Sequence, residues 1–231
     1  ESYKNDIDSF TRKKLEHLVN VNPKNMEEQD VVLYGFGRIG RMVARELITQ
    51  SGNGNQLRLR AIVTRDTGPE QLKKRADLFR NDSVHGSFQG VVKTDTEKSL
   101  MYINGHAVKM LSSPKPEDID YEKEGISGAL LIDSTGAWRD RENLSRHLKA
   151  KGINRVLLTA PGKGDIPNIV FGINHNQKEM QDEKIFSAAS CTTNAIVPAL
   201  YIINSSFNIV KGHVETIHSY TNDQNLLDNY H

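Results

Sequence analysis

From Asp30 onward, short apolar runs alternate with longer amphipathic stretches. Continuous apolar runs are typical of strands buried on both faces, and the stretches between them repeat apolar residues with the period of a helix. Strands separated by helices in this way form parallel sheets that are covered on both sides. We therefore predict a doubly wound, mostly parallel α/β sheet. The predicted elements are strand 31–34, helix 38–50, strand 57–63, strand 129–133, helix 142–149 and strand 156–159.

Both ends of the chain depart from this alternation. The first 29 residues are polar, with one weak helical stripe around Phe10. After a further strand predicted at 184–187, residues 195–204 have a helical pattern and residues 213–220 alternate as a strand. The polar end of the chain shows no closing element. We therefore expect three parts, namely an N-terminal extension at 1–29, a complete domain at 30–190 and the start of a second, incomplete domain at 191–231.

Composition narrows the class of protein. The 231 residues exceed a typical single domain, and 30 basic against 29 acidic residues give no overall charge that would attract nucleic acid or an anionic membrane. Apolar runs fall far short of the roughly 20 residues that span a bilayer, and residues 1–14 are too charged for a signal peptide. We expect a soluble, cytoplasmic protein. Its single cysteine, Cys191, has no partner for an internal disulfide.

A glycine-rich turn follows the first predicted strand. Gly35-Phe36-Gly37-Arg38-Ile39-Gly40 has the G-x-G-x-x-G spacing and opens a predicted helix, which is the context that a dinucleotide-binding turn requires. The glycines allow a tight turn, close approach of a pyrophosphate and close packing of helix on strand. Free N–H groups at the helix start favour an anion, to which Arg38 could add a contact. We predict that 30–190 is a dinucleotide-binding domain of the Rossmann type.

Asp66 ends the second strand, slightly further from the turn than the usual spacing of about 20 residues, with the glycine-rich loop at 52–55 accounting for the extra length. A carboxylate here would bind the adenosine ribose hydroxyls and repel a 2′-phosphate, which favours NAD. The neighbouring Arg65 could pair with that phosphate, so NADP stays open. The plainer interpretation of Asp66 is a solvated loop residue.

Cys191 lies between the strand at 184–187 and a predicted helix that begins near Asn194. The N-terminal end of a helix lowers a thiol pKa, so Cys191 is a candidate nucleophile. Among eight histidines, His218 is the natural candidate base, because it lies on a predicted strand 27 residues further on and is flanked by apolar Ile217 and small Ser219. Structural interpretations remain open for both, as a small buried thiol and as a hydrogen-bonded strand histidine.

The segment Ser187-Ala188-Ala189-Ser190-Cys191-Thr192-Thr193-Asn194 resembles the nucleophile motif of phosphorylating glyceraldehyde-3-phosphate dehydrogenases, in a long form with an N-terminal extension. Further matches follow the family's order from about Val31 to the end of the chain. They are Gly35 to Arg41, Asp82-Ser83-Val84-His85-Gly86, Asp133-Ser134-Thr135-Gly136, Thr159-Ala160-Pro161-Gly162-Lys163, Phe171-Gly172-Ile173-Asn174-His175 and Thr216-Ile217-His218-Ser219-Tyr220-Thr221.

The resemblance implies oxidation of glyceraldehyde 3-phosphate with NAD(P) and inorganic phosphate to 1,3-bisphosphoglycerate, a step of glycolysis and gluconeogenesis. Cys191 would form a thiohemiacetal and then a thioester, with His218 as acid and base. The Cys191 N–H and the His218 ring would donate to the developing oxyanion. The family also implies a homotetramer, and no metal is expected.

Other roles are carried over by position. Ser190 and Thr192 match positions that hold the attacking phosphate, and Thr221 matches a position that binds the substrate's phosphate. The cofactor set comprises Gly35, Gly37, Arg38, Ile39 and Gly40 at the pyrophosphate, Asp66 at the adenosine, and Ser134, Thr135 and Gly136 at a strand end near the ribose.

Some positions depart from the family's pattern. Tyr34 and Arg65 replace asparagines, and Thr67-Gly68 is closer to members that accept NADP. The chain stops before the family's substrate-gripping arginine, so we expect this segment alone not to turn over substrate. Two alternatives stay open. One is an enzyme that oxidises erythrose 4-phosphate and releases the acid by hydrolysis, and the other is a nucleotide-binding or regulatory relative without chemistry.

Overall fold

The computed structural model describes residues 6–19, 28–51, 57–176 and 182–218. These residues form five α-helices, two short 3-10 helices (Pro116–Asp118 and Glu122–Glu124) and ten strands. The helices are α1 (Ile7–Val19), α2 (Arg38–Gln50), α3 (Pro69–Arg80), α4 (Arg141–Leu148) and α5 (Cys191–Phe207). The strands are β1 (Gln29–Tyr34), β2 (Leu57–Thr64), β3 (Asn81–Asp82), β4 (Gly86–Ser87), β5 (Val92–Asp95), β6 (Leu100–Ile103), β7 (His106–Ser112), β8 (Ala129–Asp133), β9 (Ile153–Leu158) and β10 (Ile185–Ser187).

Eight of the strands form one sheet in the order β10-β9-β8-β1-β2-β7-β6-β5. From β10 to β7 every neighbouring pair is parallel, and only the β7–β6 and β6–β5 pairs are antiparallel. The central strand β1 pairs Leu33 with Ile62 of β2 on one side and with Ile132 of β8 on the other. The predicted doubly wound, mostly parallel α/β sheet is therefore confirmed.

Each face of the sheet has its own hydrophobic core, because successive side chains of a strand point to opposite faces. Val31 and Leu33 of β1 pack with apolar residues of α2 and α3. Val32, between them, packs on the other face with Leu144 of α4. All three β1 residues are fully buried, which explains why the sequence of this strand is a continuous apolar run.

The antiparallel edge and α3 extend the fold beyond the elements that the sequence pattern predicted. Strands β5, β6 and β7 are short and alternate in burial, with Met101 and Ile103 of β6 facing the core. Helix α3 begins with Pro69 at its first position and ends in a cap at Asn81, whose N–H bonds the carbonyl of Asp77. This region widens the sheet on the β2 side.

The prediction of a strand at 213–220 is wrong for the part of this range that the structure describes, residues 213–218. Residues 208–218 have no regular secondary structure, because a strand needs a hydrogen-bonded neighbour and no described strand pairs with them. Residues 219 and 220 lie outside the described residues, as does the loop predicted at 52–55. Helix α5 also begins earlier than expected, at Cys191 itself. None of the described helices combines the length and apolar character needed to cross a membrane.

Candidate active site

The glycine turn lies at the edge of the sheet where the parallel strands end. Gly35 N donates to the carbonyl of Val63 at the end of β2, at 2.9 Å, and Ser134 N donates to the carbonyl of Tyr34 at the end of β1, at 2.8 Å. Gly35 has a φ of +97°, which favours glycine. A Cβ on Gly40 would lie 2.4 Å from the Gly35 carbonyl oxygen, so the turn closes only around a glycine at that position.

The same turn leaves space and free donors for an anionic group. A Cβ on Gly37 would meet nothing within 4 Å, so the backbone there is open to close approach. Gly37 caps α2 without a side-chain hydrogen bond in the described structure, and a helix start carries N–H groups that have no partner within the helix. Ile39, in the first turn, is 53% exposed despite its apolar side chain. These features fit the pyrophosphate of a dinucleotide and an apolar surface beside it.

Arg38 directs its side chain elsewhere. Its Nε lies 3.6 Å from Oδ2 of Asp82, and Nη2 donates to Ser83 Oγ at 3.3 Å. Arg41, one turn further along α2, donates to the same Asp82 oxygen at 3.1 Å. The guanidinium of Arg38 is therefore held beside the buried carboxylate of Asp82 rather than directed at the glycine turn.

Asp82 gathers donors from several sides. The backbone N–H groups of Val84 and His85 both donate to its Oδ1 at 3.0 Å, and the His85 ring lies 3.1 Å from the same oxygen. Burial alone would raise the pKa of Asp82, but these hydrogen bonds and that from Arg41 hold it well below its ordinary value. A charged Asp82 thus ties the start of α2 to the loop after α3.

A second turn, at the end of β8, packs directly on the glycine turn. A Cβ on Gly35 would contact Thr135, and Ser134 Oγ is buried beside Gly40 with no partner among the described groups. Asp133 Oδ1 accepts both the N–H and the hydroxyl of Thr135, at 2.8 and 2.7 Å. A buried polar atom without a partner and a rigid strand end at this crevice are consistent with a bound cofactor nearby.

Behind this turn lies a buried acid–histidine pair. Oδ2 of Asp133 is 3.0 Å from Nε2 of His147 on α4, and both side chains are fully buried. Sequence spacing offered no signal for His147, since its proximity to Asp133 arises only when α4 packs on the sheet. Gly136, at the other end of the turn, has a φ of +68° and open space around its Cα.

Asp66 lies just past the end of β2, on the far side of β1 from the Ser134 turn. Its Oδ1 accepts the N–H of Gly68 at 2.8 Å, so the carboxylate is fixed at the start of α3 while remaining exposed. Arg65 beside it is exposed too, and its carbonyl accepts the Ser112 hydroxyl. Both charged groups that bear on the choice between NAD and NADP are thus at the surface.

Cys191 and His218 are in contact. Cys191 Sγ lies 3.0 Å from His218 Nε2, although 27 residues separate them in the chain. Cys191 is exposed and is the first residue of the 17-residue helix α5. The hydrogen bond with His218 is the main cause that lowers the pKa of the Cys191 thiol. Partial burial opposes it, and hydrogen bonds from Thr192 lower the pKa further.

The residues beside the thiol shape the start of α5. Ser190 is the N-cap, and its Oγ accepts the N–H of Thr193 at 2.9 Å and lies 2.7 Å from the Thr193 hydroxyl. Thr192 contacts Cys191 through its N–H and side chain. Thr221 lies outside the described residues. The structure thus brings together Ser190, Cys191, Thr192 and His218.

Sequence reasoning assigned no individual role to four groups around these turns. They are Asp82, Asp133 with His147, Ser187 and Arg41. All of these residues except His147 lie in motifs that the sequence displays. A charged residue at the end of an apolar strand, such as Asp133, is a signal that could have singled it out.

The fold and these turns define a nucleotide-binding domain of the dehydrogenase type, followed by a helix that starts with an exposed cysteine. Residues 29–141 match the family model described as glyceraldehyde 3-phosphate dehydrogenase, NAD binding domain. Residues 190–231 match the model for the C-terminal domain of the same enzymes. The chain belongs to the glyceraldehyde-3-phosphate dehydrogenase family, and its first matched region is an NAD-binding domain.

Curated relatives agree with this assignment. The chain is 54% identical to a glyceraldehyde-3-phosphate dehydrogenase-like protein of Pseudomonas aeruginosa, over 97% of this chain and 49% of that protein. It is 37% identical to glyceraldehyde-3-phosphate dehydrogenase of Zymomonas mobilis, over 87% and 56%. It is 40% identical to the chloroplastic glyceraldehyde-3-phosphate dehydrogenase A of Zea mays, over 87% and 47%. The chain spans about half the length of these relatives.

Proposed function

We propose that this protein oxidises glyceraldehyde 3-phosphate with NAD and inorganic phosphate to 1,3-bisphosphoglycerate, through a thioester on Cys191. The observation that carries the proposal is the 3.0 Å contact between Cys191 Sγ and His218 Nε2 at the start of α5. A thiol in such a contact gives up its proton more readily than a free one, and the thiolate is the nucleophilic form.

Cys191 and His218 divide the chemistry between them. The thiol proton moves to Nε2 of His218, and the sulfur attacks the aldehyde carbon. The resulting oxyanion accepts a proton from the imidazolium and becomes the hydroxyl of a thiohemiacetal. His218 then takes that proton back as the carbon is oxidised to a thioester. The nicotinamide ring of bound NAD supplies the hydride acceptor for this oxidation.

Phosphate completes the reaction. An oxygen of inorganic phosphate attacks the thioester carbon, the carbon–sulfur bond breaks, and the thiolate of Cys191 leaves with an acyl phosphate as product. The N–H of Cys191 lies in the first turn of α5, where an oxyanion is stabilised by the helix dipole. Ser190 and Thr192, on either side of the cysteine, are the proposed contacts of the attacking phosphate, and Thr221 that of the substrate's own phosphate.

The cofactor would lie across the crevice between β1 and β8, where the strand order reverses. Gly35, Gly37 and Gly40, with the N–H groups of Arg38 and Ile39, would hold its pyrophosphate. Asp66 on the β2 side would bind the adenosine ribose. Ser134, Thr135 and Gly136 would face the ribose on the β8 side.

The two ends of such a cofactor would point in opposite directions along the sheet edge. Asp66 follows β2, one strand from β1, whereas Cys191 follows β10, three strands away on the other side. At about 4.8 Å per strand, β10 lies roughly 14 Å from β1. An extended dinucleotide with its adenosine at Asp66 would therefore reach toward the cysteine with its nicotinamide. This placement supports the assignment of Cys191 as nucleophile.

Organisation and setting form part of the same proposal. Residues 1–29 are an extension, 30–190 the nucleotide-binding domain and 191–231 the start of the catalytic domain. The assembly is a homotetramer that acts in the cytoplasm, where the Cys191 thiol stays reduced. Its partners are a phosphorylated aldehyde and phosphate, with neither nucleic acid nor membrane.

The test is an assay of the intact protein with glyceraldehyde 3-phosphate and, separately, erythrose 4-phosphate, each with and without inorganic phosphate. We expect reduction of NAD that depends on the triose phosphate and on phosphate, and a thioester on Cys191 detectable by mass spectrometry when phosphate is left out. Steady turnover without phosphate would contradict the proposal in favour of hydrolysis. No thioester with either aldehyde would point to a relative without chemistry.

A further inference from the structure

The three residues before Cys191, which we call the 188–190 turn, connect β10 to α5 in an unusual conformation. Ala189 has a φ of +60°, in the left-handed region that residues with a Cβ seldom adopt. It is also buried, with 4% of its surface exposed. Such a conformation persists only when surrounding contacts fix it, and it decides where the next residues point.

Ser187 fixes this turn from the strand side. Its side chain is fully buried, and its Oγ accepts the N–H of Ala189 at 2.9 Å. The same oxygen accepts the N–H of Gly162 at 3.2 Å and donates to the carbonyl of Ala160 at 2.7 Å. One hydroxyl therefore joins the turn to the loop that follows β9, and its loss would leave the buried N–H of Ala189 without this acceptor.

Asn194 fixes the turn from the helix side. Its Nδ2 donates to the carbonyl of Ala188 at 2.7 Å and to that of Ser190 at 2.9 Å. The side chain is exposed, so these two bonds are its contribution rather than packing. Asn194 lies one turn after the N-cap Ser190, and its side chain bonds back to residues that precede Cys191. The two carbonyls it binds flank Ala189.

We propose that Ser187 and Asn194 are positioning residues that hold the 188–190 turn, and through it the Cys191 sulfur, against His218. This inference rests on the proposed role of Cys191 as nucleophile. Neither residue touches the sulfur or His218 in the described contacts. They act by fixing the backbone that leads into the first residue of α5, so that the thiol is presented to the imidazole at 3.0 Å.

The test measures the rate of iodoacetamide alkylation against pH in Ser187→Ala and Asn194→Ala. Cys191 is the only cysteine of the chain, so alkylation reports on it alone. We expect the pH of half-maximal rate to rise toward that of a free thiol, about 8.5, in both variants, and the rate at pH 7 to fall by about threefold or more. The plateau rate at high pH should stay unchanged, because the thiolate itself is the same.

Two substitutions in the distal part of α5 serve as matched controls. Ser205 donates its hydroxyl to the carbonyl of Ile202, and Asn204 accepts the N–H of Ile209 at the end of the helix. Ser205→Ala and Asn204→Ala remove the same chemical groups from the same helix, far from the turn. Their alkylation profiles should match that of the unmodified chain.

The outcomes separate the inference from the proposed function. An unmodified chain that alkylates like a free thiol would overturn the role of Cys191 and this inference with it. A lowered thiol pKa in the unmodified chain that persists in both variants would overturn the inference alone, as would an equal shift in Asn204→Ala. Should circular dichroism show Ser187→Ala to be unfolded, Asn194→Ala decides, since its exposed side chain can be removed without leaving a cavity.

Discussion

Arg41 in the first turns of α2 and Asp82 after α3 form a buried ion pair, with Nη2 and Oδ2 3.1 Å apart. The side chains are 2% and 0% exposed. Arg41 lies in α2, which begins at the glycine turn, and Asp82 follows α3, which begins just after Asp66. The pair therefore links the stability of the domain to the position of the glycine turn.

Asp82→Asn should destabilise the fold by about 3 kcal/mol, because it leaves the buried guanidinium of Arg41 without a counter-charge. Urea unfolding followed by circular dichroism measures the change. Asp77→Asn is the matched control, since Asp77 pairs with Arg80 at the surface. It should leave the midpoint unchanged within error. Equal midpoints for Asp82→Asn and the unmodified chain would show that the pair contributes nothing.

Acid should weaken the fold in a defined range. Glu183 is held by Arg141 through two bonds of 2.9 Å, which lower its pKa from 4.5 to about 2, and Asp82 is likewise depressed. A carboxylate whose pKa is lower in the folded than in the unfolded protein stabilises the fold at any pH above its unfolded-state pKa. This stabilisation is lost as the pH falls toward the folded-state pKa. The free energy of unfolding should thus decline below about pH 4.5. Glu183→Gln should flatten that decline, and an unchanged slope would contradict the assignment.

Gly40 and Gly37 should respond differently to alanine. Gly40→Ala places a Cβ 2.4 Å from the Gly35 carbonyl, so we expect loss of both stability and NAD binding. Gly37→Ala meets no atom within 4 Å and should fold normally, yet weaken NAD binding about tenfold or more by blocking the approach of the pyrophosphate. Calorimetric titration with NAD and thermal unfolding separate the two effects. Gly212→Ala, also in open space, is the neutral control. Normal NAD affinity in Gly37→Ala would contradict the proposal that the pyrophosphate binds at this turn.

Asp66 and Arg65 should set the choice of cofactor. Asp66→Asn retains an oxygen for the Gly68 N–H while removing the charge that repels a 2′-phosphate, so NADP should gain about tenfold relative to NAD. Arg65→Ala should act in the opposite direction. Dissociation constants for both nucleotides, measured in the same buffer, give the ratio. A ratio that neither substitution moves would place the adenosine elsewhere.

Hydrophobic pattern predicted the centre of this fold because the central strands are buried on both faces. The predicted range of helix 38–50 coincides with α2, and strand 31–34 lies within β1. The edge was harder to predict. Strands such as β6 have four residues that alternate in burial, which is too short a signal for periodicity to separate from a loop. The α5 start was misplaced although Ser190, a good N-cap residue, marked it.

The candidate site was only partly visible in the sequence. Glycine spacing and the cysteine motif indicated which residues matter, but a separation of 27 residues says nothing about the contact between Cys191 and His218. The strand on which His218 was expected does not form in the described residues, so its position comes from an irregular segment. Ser187 was hidden for a similar reason, since its partners Ala160 and Gly162 come from a distant loop.

The most direct test of the account is a titration of the thiolate of Cys191 by its ultraviolet absorbance, in the unmodified chain and in His218→Phe. The hydrogen bond from His218 favours the charged sulfur, so the thiolate should form below the pH of about 8.5 expected for a free thiol and persist at all higher pH. His218→Phe should move the transition up toward 8.5. Identical transitions in the two proteins, or one at 8.5 or above in the unmodified chain, would contradict the central claim that His218 holds Cys191 ready for nucleophilic attack.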